Sequence, residues 1–79
     1  MELKYVVLKD GTPIIFPATH QHHEMQAIGE IDSAGFVKIY IVDKRICAAT
    51  YGESASLKLR PKEDDAILIE LALNKRGGE

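Results

Sequence analysis

The chain has 79 residues, with ten Lys and Arg against twelve Asp and Glu and a formal net charge of -2. That length accommodates one core and no second domain, and the slightly acidic balance offers no general electrostatic attraction to nucleic acid or anionic lipid. A single cysteine, Cys47, excludes an intramolecular disulfide, and no run approaches the ~18 apolar residues of a membrane span.

A core of this size supplies only about 3–5 kcal/mol. With no internal cross-link available, association with another chain is the expected source of further stability. Met1-Glu2-Leu3-Lys4 lacks the basic and long apolar regions of a signal peptide, so the expected location is cytoplasmic. Cys47 sits in the apolar run Ile46-Cys47-Ala48-Ala49 and reads as a small hydrophobe in a reducing compartment.

In chain order, Leu3 to Lys9 and Thr12 to Phe16 are rich in strand formers and flank Asp10-Gly11, the strongest short signal for a two-residue type I′ hairpin. Pro13 belongs at a strand start or an edge, because it has no N–H for a ladder. Thr19 to Ile28 is helix-compatible, with Thr19 as N-cap, Gly29 as stop, and Met25 and Ile28 toward the sheet. Ile31 to Val42 reads as a strand whose second half is central, and Gly35 marks a bulge or a close backbone approach. Asp43-Lys44 is a weaker turn into Arg45 to Tyr51, Gly52-Glu53-Ser54 breaks the pattern, and Ser56 to Arg60 is an edge strand or an extended linker. Pro61 and the acids Glu63, Asp64 and Asp65 open a helix expected to run to about Asn74, with Lys75 and Arg76 at its negative end and Gly77-Gly78-Glu79 fraying. Ile67, Leu68 and Leu71 are the stripe expected on the sheet, which leaves Ile69 and Leu73 for a second covering surface. The resulting fold class is α+β: an antiparallel sheet of four to five strands in two hairpins, a short helix after the first hairpin, and a C-terminal helix packed on one face.

The densest group of potential ligands is His20-Gln21-His22-His23-Glu24. On a helix His20, His23 and Glu24 share a face, as zinc or another divalent metal requires. No second ligand set occurs at a recognisable distance, so the main reading is an exposed polar face that contacts a ligand or partner, and metal binding is the alternative. Gly52-Glu53-Ser54-Ala55-Ser56 resembles the nucleophile elbow of carboxylesterases, but Ser56 replaces its last glycine and the chain is too short for the large sheet that strains that turn. The segment reads instead as a turn, with Tyr51, Glu53 and Ser54 on a binding rim. Neither a dinucleotide fingerprint nor a phosphate loop is present. Tyr5, Phe16, Phe36, Tyr40 and Tyr51 all fall on or beside strands, and with Lys4, Lys9, Lys38, Lys44 and Arg45 scattered among acids they read as core and solubilising surface rather than a base-stacking platform.

The succession Tyr5-Val6-Val7-Leu8, Asp10 to Pro17, His23-Glu24-Met25, Ser33-Ala34-Gly35-Phe36-Val37 and Tyr51-Gly52-Glu53-Ser54 resembles a group of short uncharacterised bacterial and phage-associated proteins. The resemblance implies an accessory role, in phage or prophage context, and transfers no activity to any residue. The functional expectation is therefore a non-enzymatic, homodimeric binding protein without catalytic residues or cofactor, not binding nucleic acid or membrane, and paired through Ile69 and Leu73. A host or phage protein docking along an exposed strand edge is the other partner class left open.

Overall fold

The computed structural model describes residues 2–77; the expected fraying of Gly78 and Glu79 falls outside them. Strands β1 (Leu3–Leu8) and β2 (Pro13–Pro17) form the first hairpin, a 3₁₀ helix follows at His22–Ala27, and β3 (Ile31–Val42) and β4 (Arg45–Tyr51) form the second hairpin before helix α1 (Asp65–Gly77). All neighbours are antiparallel in the order β2-β1-β3-β4. The fold is the expected α+β class with four strands. Ser56 to Arg60 adds no fifth strand, and the segment is closed only by an isolated bridge between Ser54 and Leu59.

The first turn is longer than expected, and Asp43-Lys44 closes the second hairpin as expected. Asp10 Oδ1 accepts a hydrogen bond from the Thr12 N–H at 2.9 Å, and only Gly11, at φ 92°, takes the left-handed region there. The loop is thus the three-residue type, with Leu8 N–H donating to Thr12 O. Both Asp43 and Lys44 have positive φ, 50° and 68°, as a two-residue type I′ turn requires. The first helix is also shorter than expected: its N-cap is Gln21, whose N–H donates to Glu24 Oε2 at 2.6 Å, and Thr19 lies outside it. Met25 packs on the sheet as expected, whereas Ile28 is exposed.

Gly35 marks a close approach and not a bulge. A Cβ there would meet Pro61 Cγ at 2.7 Å and Tyr51 O at 3.1 Å, while the register shift lies further along, opposite Val7 and Leu8. Strand alternation produces two cores, one on each side of the sheet. Tyr5, Val7, Val37 and Ala48 face α1, and Val6, Phe16 and Ala34 face the 3₁₀ helix together with Leu57 and Leu59.

α1 is rotated from the expected face: of the expected stripe only Leu68 packs on the sheet. Ile69 is fully buried in the first core, Leu68 and Leu73 lie partly buried against it, and Ile67 and Leu71 are exposed. Ile69 is thus a residue of the chain's own core, which supplies the cover that the sequence leads one to expect from a second surface. Three polar side chains fix this rotation. Asp65 is buried and accepts hydrogen bonds from Tyr5 Oη at 2.6 Å, Ser33 Oγ at 2.9 Å and Lys62 N at 2.9 Å. Accepting three and donating none is the bonding pattern of an ionised carboxylate. Burial, and then the Asp65 bond and charge, push the Tyr5 hydroxyl well above the ordinary tyrosine range, so it stays a donor. The other two, Glu70 and Asn74, bind the outer edge of β4: Ala48 N–H donates to Glu70 Oε2 at 2.7 Å, and Ile46 exchanges bonds of 3.0 and 2.9 Å with the Asn74 amide.

The opposite edge is closed by another means. Because Leu8 bonds to Thr12, alternation makes Ile14 and Phe16 the inward-bonding residues of β2 and turns Pro13, Ile15 and Pro17 outward. Two of those three positions have no N–H to offer. The outer edges of β2 and β4 are thus short of free donors, whereas β3 beyond Val37 is paired on the β4 side alone.

Replacing Asp65 by Ala is expected to cost about 3–5 kcal/mol, since hydrogen bonds to a charged group contribute about 1.5–3 kcal/mol each and are not additive. That is comparable to the whole stability of so small a core, and circular dichroism at 25 °C should show a largely unfolded chain. Tyr5→Phe should lose about 1.5–3 kcal/mol and stay folded; a cooperative melt of D65A close to that of the parent would contradict the role given to the carboxylate. Gly35→Ala should lower the denaturant midpoint through the clash with Pro61, by about 1–3 kcal/mol.

Candidate functional site

A wholly apolar concavity lies on the α1 side of the sheet. α1 leans toward β4, where Glu70 and Asn74 hold it, and packs over Tyr5 and Val7 of β1 while leaving part of that face open beside it. The result is a groove of about 520 Å³ with Leu3, Ile15, Ile39 and Ile41 on its floor and Ala72 and Leu73 on its wall. Every side chain lining it is apolar, and Ile41 at its end is 72% exposed. The groove offers no polar side chain to orient a small polar molecule, so its chemistry is burial of apolar surface. Of the two residues assigned to a dimer interface, Leu73 lines this groove and Ile69 forms its buried base. Ile39, Ile41 and Leu3 carry one signal in the linear sequence, the odd-numbered apolar alternation of β1 and β3, which does not say which of these positions α1 leaves open.

The histidine segment is organised differently from the expected ligand face. His20 precedes the 3₁₀ helix, and its Nδ1 lies 3.4 Å from Glu24 Oε2, both side chains being exposed; His23 is exposed as well. Among the described residues no group of three His, Cys, Asp or Glu side chains converges as a metal requires. The structure thus brings His20 and Glu24 of the expected ligand face together, without a third ligand beside them among the described residues.

The histidine that matters to the structure is His22, which is 3% exposed. Its ring meets Phe16 and Phe36 edge-on, at centroid distances of 5.7 and 5.6 Å, and its Nε2 lies 2.7 Å from Gly35 O. A carbonyl only accepts, so Nε2 carries the proton. Burial holds the His22 pKa below the ordinary histidine range, and the nearby Lys4 charge acts in the same direction.

Of the proposed rim, Tyr51 and Glu53 are exposed and Ser54 is not. Ser54 is buried, bonds to Leu59 through its backbone in both directions at 2.7 and 3.3 Å, and accepts from Leu57 N–H at 3.3 Å through Oγ. It pins the loop that covers the second core and faces no partner. Glu53 lies 3.9 Å from Arg60, and the Tyr51 ring stacks on Phe36. Cys47 is a free, half-buried thiol. Among the described residues no helix is long and apolar enough to cross a membrane.

No family model, curated protein or solved structure matches the chain.

His22 makes stability pH-dependent with a definite sign. Its folded pKa lies below the unfolded value of about 6.5, so between the two the unfolded chain binds more protons and stability falls as pH is lowered. Urea titrations at pH 7.5, 6.5 and 5.0 should show a falling midpoint. His22→Gln, which retains a donor for Gly35 O without a titrating group, should show a weaker fall; equal falls in both proteins would contradict the assignment.

Proposed function

We propose that the chain is a non-catalytic binding protein that works as a homodimer, with the open groove beside α1 as the joint. The observation carrying this reading is the wholly apolar groove ending at exposed Ile41. Its cause is geometric. Four strands about 4.8 Å apart present a face roughly 19 Å wide, while one helix with its side chains is about 10–12 Å across. A single helix leaves part of that face uncovered, and a second copy of the same chain supplies the missing cover.

Three features favour a second copy as the occupant. The chain is small enough that its own core contributes little stability. The outer edges of β2 and β4 are short of free donors, which favours face-to-face contact over strand pairing at those two edges. A two-fold pairing also sets the same groove against itself and covers Leu3, Ile15 and Ile41 in both chains at once. A standard interface takes about 800 Å² per partner, a modest part of the 5419 Å² of accessible surface. An accessory role in phage or prophage context, as the sequence resemblance implies, fits a protein whose action is binding alone.

Light scattering after size exclusion at micromolar concentration should give twice the 8.8 kDa chain mass. Ile41→Lys places a charge at an exposed position of the groove and should give a folded monomer. A parent protein that remains monomeric at high micromolar concentration would overturn the proposal.

A further inference from the structure

We propose that the bare face of the β3–β4 ribbon, on the side of the sheet opposite α1, binds single-stranded nucleic acid. β1 pairs with β3 only as far as Val37, so Lys38–Val42 and their β4 partners project as a two-stranded ribbon. One side of that ribbon packs toward α1 through Ile39 and Ala48. The other side carries, rung by rung, Phe36 opposite Tyr51, Lys38 opposite Ala49, Tyr40 opposite Cys47, and Val42 opposite Arg45.

The register sorts charges that the linear sequence mixes. Those four rungs hold Lys38 and Arg45 and no carboxylate, and Lys4, whose Nζ donates to His20 O at 2.9 Å and lies 5.7 Å from the Phe36 ring centroid, adds a third cation at one end. The nearest acids along the chain, Glu2, Asp43 and Glu53, fall before β1, in the turn and beyond β4, and Glu53 lies 3.9 Å from Arg60.

Two rings are open to a ligand: Tyr40 is 45% exposed and Tyr51 42% exposed. Tyr51 is held in plane by its stack on Phe36, with centroids 5.7 Å apart and planes 26° apart. Tyr40 and Tyr51 are four residues apart along the ribbon, about 14 Å at roughly 3.4 Å per residue, and the small Ala49 leaves a flat floor between them. Ring faces separated by a flat step and flanked by cations match the alternation of base and phosphate in a single strand. A duplex buries its base faces and offers these rings nothing to stack on. The overall charge of -2 confines the attraction to this face, which predicts weak, salt-sensitive binding.

The test is fluorescence anisotropy of a labelled decathymidylate and its duplex form, titrated with the full chain at 50 mM salt. The single strand should bind more tightly than the duplex and lose affinity by roughly 20-fold between 50 and 200 mM salt, as three displaced counterions imply. Tyr40→Ala and Tyr51→Ala should each weaken binding by about 10-fold, the usual effect of losing one stacking ring. Lys38→Glu, at an exposed position that leaves the cores untouched, should weaken it as well while the circular dichroism spectrum is unchanged. Absence of binding, equal affinity for duplex, or wild-type affinity in folded Lys38→Glu would overturn the proposal. The groove lies on the other side of the sheet, so Ile41→Lys should leave this affinity unchanged, and the two readings stand or fall separately.

Discussion

A single carboxylate ties together segments far apart in the chain. Asp65 sits at the start of α1, yet its two oxygens collect the Tyr5 hydroxyl from β1, the Ser33 hydroxyl from β3 and the Lys62 amide from the turn before the helix. The attraction of such a cluster is offset by the cost of removing the charge from water, so its main effect is on orientation. A helix apolar on most of its circumference has several rotations that bury similar area. Only one of them delivers Asp65 to both hydroxyls, and that rotation also carries Glu70 and Asn74 to the edge of β4.

This dependence explains which parts of the fold were legible in the sequence. Strand alternation, Pro13 and Pro17 at the ends of β2, and the acid-rich helix entrance are local signals, and they gave the hairpins, the strand order within each, and the existence of α1. The helix face was not legible because Ala66 to Leu73 contains one charge and apolar residues in every direction. Hydrophobic periodicity has no contrast there, and the decision rests on polar contacts 22 to 60 residues apart in sequence. Asp65 was read for its effect on the helix dipole, a local role, when its partners were distant. The first turn was misread for the opposite reason: Asp10 satisfies a neighbouring amide with its own side chain and thereby selects a longer loop.

The candidate sites follow the same division. His20, His23 and Glu24 form a conspicuous string, but only His20 and Glu24 meet, and the histidine with structural consequence is the one between Phe16 and Phe36. Lys38, Tyr40 and Arg45 look dispersed in sequence and become one surface only once the register of β3 and β4 is known. The groove is a property of coverage: it exists because one helix is narrower than four strands, and residue types alone do not state how far a helix reaches.

The guarding of β4 by Glu70 and Asn74 ties local opening to self-association. The helix that roofs one core also occupies the outward amides of Ile46 and Ala48, so its detachment strips the roof and bares a strand rim in one event. An unguarded rim beside Ile39, Ile41 and Ile46 has the composition from which cross-β stacking grows. The contacts that set the rotation of α1 therefore also keep the rim of β4 from pairing with a further strand.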